Sequence, residues 1–333
     1  MSQFRRAVTA AAFGGGSIGA AGALFTGVLV GQAFLARRTI PVAEAPPPRS
    51  DGRYGPEHDG TPLTMVVLGD SSAAGYGVDA SRDTPGALLA AGLAEQLRRP
   101  VTLRCFAVVG AESRDLPPQV ERAVAVHPDV AVLIVGGNDV THRRGVTEAV
   151  GYLVHAVREL RAAGAEVVVG TCPDLGAIRP IQPPLRWMAR RWSRQLATAQ
   201  TIAVVAAGGR SVSLGDLLGP QFDAEPDRMF GTDRFHPSAY GYAAAAAAVL
   251  PTVVAALSPV EEPRRLGLGE GVRSLPDAAA EAADRAGTEV SRTRLAGRPG
   301  WFAQLRHRVW RRTERPTGPT HVLLGEEAVL NEG

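Results

Sequence analysis

Four runs of consecutive apolar residues punctuate the chain, at 64–69, 101–109, 129–136 and 166–171. The most apolar is Asp-Val-Ala-Val-Leu-Ile-Val-Gly at 129–136. A strand without polar–apolar alternation is one buried on both faces. Between these runs, apolar residues recur at helical spacing over 84–99, 146–163 and 183–207, and 117–127 reads as a shorter helix. Pro100 and Gly164 stand where two of these helices must stop. A weaker run at 210–214 predicts a fifth strand, and the alanine-rich stretch 237–257, opened by Pro237, predicts a final helix. Strands alternating with helices imply a parallel sheet covered on both faces. The expected architecture is therefore α/β: a three-layer α/β/α sandwich around a five-stranded parallel sheet, occupying residues 62–257. In such sheets ligands sit beyond the carboxyl ends of the strands, so the residues that follow each apolar run are where chemistry is expected.

The flanks read differently. Residues 7–36 carry no charged side chain, with Arg5 and Arg6 before them and Arg37 and Arg38 after. About 20 apolar residues span a bilayer, whereas the apolar core of a secretory signal is shorter. Residues 1–40 are thus expected to be a membrane anchor forming an N-terminal transmembrane helix. The alternative is a signal segment cleaved near Ala43-Glu44-Ala45. Arginines on the two sides do not decide the orientation. A short amino terminus that stays inside would put the domain over 62–257 outside the cytoplasm. Residues 41–61, with Pro46-Pro47-Pro48, read as a linker. Residues 258–333 are charged and interrupted by Pro and Gly, and read as a mostly disordered tail with two short helices at most. Within it, 292–315 interleaves arginines with Trp301, Phe302, Leu305, Val309 and Trp310, a basic amphipathic pattern. Such a segment either binds an anionic membrane surface, which would place the protein on the cytoplasmic face, or is a solvated or partner-docking helix.

Composition removes several functions. A net charge of +3 over 333 residues is too small to imply nucleic-acid binding. Every basic side chain is arginine, so there is no Walker A lysine. Cys105 and Cys172 lie in or just after predicted strands and read as buried free thiols, with a single disulfide as the alternative. No Cys/His cluster has zinc-ligand spacing, and no metal or cofactor is expected. Gly75-Tyr76-Gly77-Val78-Asp79-Ala80 fits a loose dinucleotide fingerprint, but its first glycine comes six residues after the strand ends at Gly69. Gly15-Gly16-Ser17-Ile18-Gly19 fits a hydrolase elbow, but it lies inside the uncharged segment with no strand before it.

What remains is a set of polar residues at strand ends. Ser71 follows the first strand in Gly69-Asp70-Ser71, where a hydroxyl could act as a nucleophile. Such a hydroxyl needs a base within hydrogen-bond reach and a third group to orient that base. Asp233 and His236 stand three residues apart in a loop before the last helix and supply both types. Gly110 follows the second strand, and Gly136-Gly137-Asn138-Asp139 follows the third. These offer a backbone N–H and a side-chain amide as donors to a developing oxyanion.

These four blocks, in this order, resemble the SGNH, or GDSL, hydrolase family over roughly residues 62–257. The resemblance implies a flavodoxin-like α/β/α fold, with Ser71 as nucleophile, His236 as base and Asp233 as its orienting partner. It implies an oxyanion hole made by the Ser71 N–H, Gly110 and Asn138. The asparagine that the family usually carries shortly before the second-block glycine is absent from Cys105-Phe106-Ala107-Val108-Val109-Gly110. The implied function is a serine hydrolase of the esterase or lipase type, acting on a small-molecule, lipid or carbohydrate ester. An acyltransferase or carbohydrate O-deacetylase could use the same site. A catalytically silent membrane-tethered binding protein is the third reading, against which the intact residue set argues. Leu185, Trp187, Met188 and Trp192 are either an apolar wall for an acyl chain or ordinary core, and His142 is a candidate pocket residue.

Overall fold

The computed structural model describes residues 23–35, 38, 46–215, 225–258, 275–284, 287–292 and 303–306. Helix α1 (Ala23–Leu35) precedes the domain, and the single turn α2 (Ser71–Ala74) is the first helix within it. Strands β1 (Gly52–Tyr54), β2 (Leu63–Gly69), β3 (Val101–Cys105), β4 (Val130–Ile134), β5 (Glu166–Gly170), β6 (Arg210–Val212), β7 (Glu289–Arg292) and β8 (Ala303–Arg306) form one sheet in the order β1-β3-β2-β4-β5-β6-β7-β8. Its centre, β3-β2-β4-β5-β6, is parallel throughout, with Met65 beside Val130 and Val130 beside Glu166. The edges are antiparallel: β1 on β3, β7 on β6, and β8 on β7.

The sheet is therefore mixed and eight-stranded among the described residues, which corrects the expectation of a five-stranded parallel one. The reason is physical. A sheet edge presents unpaired N–H and C=O groups to whatever chain lies nearby. Three short segments of three or four residues satisfy them. Segments so short and polar need no apolar run, because only their backbone is recruited. Parts of both flanks thus join the domain. Strand β1 lies within the proline-rich linker, and β7 and β8 lie within the carboxyl-terminal tail. Residues 303–306, part of the basic amphipathic stretch, are a strand, and most of that stretch lies outside the described residues.

Side chains of β2 alternate between two cores. Met65 and Val67 meet Leu89 and Leu93 of helix α3 (Pro85–Leu97) and Val249 and Val253 of the helix Ala239–Leu257. Val66 and Leu68 meet Val120, Leu153, Leu160 and Val204, from the helices Pro117–Val124, Val146–Ala162 and Leu185–Ala206. The helix Ala239–Leu257 is the one described helix long and apolar enough to cross a membrane, and here it covers the sheet. The helix Leu275–Ala283 packs Ala278 and Ala282 on Val205 and Val290. The buried Glu289 carboxylate accepts from Arg210 at 2.8 Å and from Thr252 at 3.2 Å, pinning β7 to the domain. Both cysteines are free, Cys172 buried and Cys105 half-buried.

Candidate active site

Strand β2 ends at Gly69 with φ +134°, and a Cβ there would lie 1.8 Å from the Ile134 carbonyl oxygen. Only glycine can make this turn. The buried Gln119 clamps the turn from both sides: its Oε1 accepts from Gly69 N at 2.8 Å, and its amide donates to Gly69 O at 3.1 Å. Asp70 then caps a single helical turn, Ser71–Ala74, by accepting from Ser72 N at 2.9 Å. Gly75, with φ +80°, closes the turn onto the Ser71 carbonyl. The loose dinucleotide fingerprint is thus a helix cap. Ser71 sits at the first position of this turn, beyond the carboxyl end of the sheet.

The Asp233–His236 loop is tied down on both sides. Gly231 N donates to His236 O at 2.8 Å, and Ser238 caps the following helix by accepting from Gly241 N. The Asp233 Oδ1 accepts from the backbone N–H of Phe235 and of His236, each at 2.9 Å. Its Oδ2 lies 2.6 Å from His236 Nδ1, and His236 Nε2 lies 2.8 Å from Ser71 Oγ. Burial pushes the Asp233 carboxyl up, but hydrogen bonds from His236 and the two amides outweigh it and hold the group below the ordinary carboxylate range. Tyr76 and Phe235 set their ring edges against the imidazole, with centroids 4.7 and 4.9 Å away. Gly77, at φ +95°, leaves room for His236, whose Cβ would be 3.2 Å from an added methyl.

The third block forms the short helix Gly137–Thr141, entered through Gly136 at φ +133°. A Cβ on Gly136 would stand 2.9 Å from the Cys172 Cβ. The buried Gln200 joins the two loops, donating to Val135 O at 3.0 Å and accepting from Cys172 N at 2.7 Å. Asn138 donates one amide hydrogen to Ala111 O at 2.9 Å, tying the third block to the second. An amide nitrogen has two hydrogens, so one remains. Asp139 accepts from the N–H and the hydroxyl of Ser113. Burial pushes its carboxyl up against those hydrogen bonds. Gly110, at φ +82°, is exposed beside Val108 and Val109. His142 reaches not the serine but Glu112, at 2.8 Å. Arg144 donates to the same buried carboxylate at 2.6 Å and holds it below its ordinary value despite burial.

Ser71, Asp233 and His236 thus meet, and Asn138 and Gly110 stand on the neighbouring loops. Gln119, Gln200, Ser113 and Glu112, which hold those loops, carry no signal in the sequence, because a buried glutamine reads like a surface one. Leu185 and Trp192 join an apolar cluster behind the third block. Trp187 is 66% exposed, so it is neither core nor a closed acyl wall. Beside the histidine loop runs a groove of about 740 Å³, whose lining includes Asp79, Asp83, Arg179, Asp227, Thr232 and Arg234.

Residues 67–244 match the GDSL-like Lipase/Acylhydrolase family. Over 247 residues the chain is 44% identical to the GDSL-like esterase Rv1075c of Mycobacterium tuberculosis, covering 69% of this chain and 78% of that protein. Among solved structures, the lipase Lip_vut3 from a goat rumen metagenome is 17% identical, with a TM-score of 0.47, over 58% of this chain and 97% of that chain. An acetylxylan esterase from Geobacillus stearothermophilus, solved as a catalytic mutant, is 19% identical, with a TM-score of 0.47, over 59% and 96%.

Proposed function

The chain belongs to the GDSL-like lipase/acylhydrolase family and is a carboxylic ester hydrolase, and on that premise we propose that Ser71 is its nucleophile, His236 its general base and Asp233 the group that orients the base. The observation that carries this reading is the unbroken hydrogen-bonded line from Asp233 through His236 to Ser71, at 2.6 and 2.8 Å. Ser71 Oγ attacks the ester carbonyl carbon as its proton passes to His236 Nε2. The carbonyl oxygen becomes an oxyanion, held by the Ser71 and Gly110 N–H groups and the second amide hydrogen of Asn138. Collapse expels the alcohol, which takes the proton from His236 and leaves an acyl-serine. Water, deprotonated by His236, then attacks the acyl carbon, releases the acid and restores Ser71. The ionised Asp233 keeps Nδ1 protonated, so that Nε2 faces the serine as an acceptor, and it stabilises the imidazolium formed in each half.

The groove beside the histidine loop mixes charged Asp79, Arg179 and Arg234 with apolar Val78, Pro226 and Phe230, a lining that suits an ester with a polar group and a short acyl chain. The test uses p-nitrophenyl esters of increasing chain length and a fluorophosphonate probe. The expected result is fastest hydrolysis of the short esters, with labelling and hydrolysis both abolished in Ser71→Ala. Wild-type turnover by Ser71→Ala would refute the covalent route.

The same proposal places the enzyme on a membrane through residues 7–36, with the catalytic domain outside the cytoplasm. It is supported by α1, whose Leu24, Phe25, Val30, Phe34 and Leu35 are at least half exposed. Its 13 residues would extend about 20 Å, short of a hydrocarbon core of about 30 Å. The rest of the uncharged run lies outside the described residues. Gln32 of α1 meets the domain, donating to Pro183 O and accepting from Leu185 N.

A further inference from the structure

We infer that Glu57, His58 and Glu95 form a binding site for a divalent cation of the zinc class, which holds the segment entering β2 against helix α3. The three residues lie on two pieces of chain. Glu57 and His58 are in the turn after β1, whose His58 N donates to Gly55 O at 3.1 Å. Gly55, at φ +60°, lets the turn seat on α3: a Cβ there would fall 2.6 Å from Ala94 Cβ and 2.8 Å from His58 Cδ2. Glu95 is on the last turns of α3.

The imidazole makes the site more than a pair of surface carboxylates. The His58 side chain is only 5% exposed, and its Nε2 is buried without a hydrogen-bond partner. A buried polar nitrogen left unsatisfied is costly. Nε2 is 3.3 Å from Glu95 Oε1 and 3.7 Å from Glu57 Oε1. Both oxygens are close, yet neither completes a hydrogen bond with the ring nitrogen. The three ligand atoms lie within 4.8 Å of one another. A tetrahedral zinc ion with bonds of about 2.0–2.1 Å separates its ligand atoms by about 3.3–3.4 Å. The distances from Nε2 to the two oxygens, 3.3 and 3.7 Å, sit at and just above that edge, so carboxylate rotations close the triangle. Both glutamates are more than half exposed, which leaves room for that movement. Arg98 approaches Glu95 Oε2 at 3.6 Å and leaves Oε1 to the ion.

One imidazole and two carboxylates, with a fourth position open to water, suit zinc. Calcium takes six to eight oxygens, and magnesium demands an octahedron. Leu63, the first residue of β2, follows the turn, and Glu95 precedes β3, so the cluster lies at the amino ends of the strands. Ser71 and His236 lie at the carboxyl ends, about 20 Å away across a seven-residue strand. The ion is therefore a structural staple between the linker side of the chain and the domain, outside the ester chemistry.

The test is made on the full chain in detergent, stripped with a chelator and titrated with Zn²⁺ alone, followed by calorimetry and thermal unfolding. Wild type should bind one equivalent and gain thermal stability, because an ion that binds only the folded state stabilises it by mass action. Mg²⁺ at the same concentration should do neither. Glu57→Gln and Glu95→Gln change exposed side chains and should fold normally. Each should weaken zinc binding about tenfold or more and lose the stabilisation, as removal of a ligand does. Hydrolysis of a short p-nitrophenyl ester should be the same with and without zinc. The inference is overturned by absence of stoichiometric binding, by binding undiminished in both carboxylate variants, or by loss of ester hydrolysis on stripping.

Discussion

Asp70→Asn should make this enzyme more stable, and only above a particular pH. The Asp70 carboxyl is buried beside Ser71, and burial is the main cause that raises its pKa from 3.8 to about 6. The Ser72 N–H and the charge of His236 offset part of that, and Asp139 adds to it. In the unfolded chain the group has its ordinary value near 3.9. The folded state therefore holds the proton more tightly. Above pH 6 the carboxylate is ionised in both states, and folding carries the full cost of burying the charge. That cost is about 3 kcal/mol for a shift of roughly two units at 1.36 kcal/mol each. As pH falls from 6 towards 4 the folded state takes up the proton first, and the cost disappears. Asparagine keeps the shape and is as good a helix cap as aspartate, so the Ser72 N–H retains its acceptor. At pH 8 the variant should melt about 6–12 °C above wild type, from roughly 2–4 °C per kcal/mol for a domain of this size. At pH 4 the two should melt together. Thermal unfolding followed by circular dichroism across that range decides it. A shift of equal size at pH 4 and pH 8, or a lower melting temperature at pH 8, would refute the electrostatic account.

Removing the amide in Asn138→Ala should lower kcat by about 10²–10³ with little change in KM, since the donor acts on the transition state. Steady-state kinetics on a short ester read this directly, and a change confined to KM would assign Asn138 to substrate binding. For the membrane, the full chain should sediment with membranes and resist carbonate extraction, whereas a chain beginning near residue 46, which keeps β1 (Gly52–Tyr54) and its pairing with β3, should stay in the supernatant and remain active. Recovery of a soluble full-length product whose amino terminus begins after Ala45 would establish a cleaved signal.

By itself, the sequence determined the parts of this protein whose cause is local. Runs such as 129–136 are apolar at every position, and only a strand covered on both faces uses such a run, so the central strands and their parallel arrangement follow from composition. Ser71, Gly110 and Asn138 each follow such a run, which placed them on one edge of the sheet before any coordinate. Asp233 and His236 are three residues apart and meet within one loop. Tertiary structure decided what depends on distant chain. The contact between His236 and Ser71 spans 165 residues and exists because β2 and the helix Ala239–Leu257 pack on the same core. Gln119 and Gln200 clamp the loops after β2, β4 and β5 only because folding buries them. The edge strands β1, β7 and β8 were invisible because backbone pairing to an open edge requires no side-chain pattern. For the same reason His58 reads as an isolated histidine until α3 packs beside it and brings Glu95 within 3.3 Å. Pattern along a chain records which faces are buried, but only packing decides which polar atoms are left facing one another.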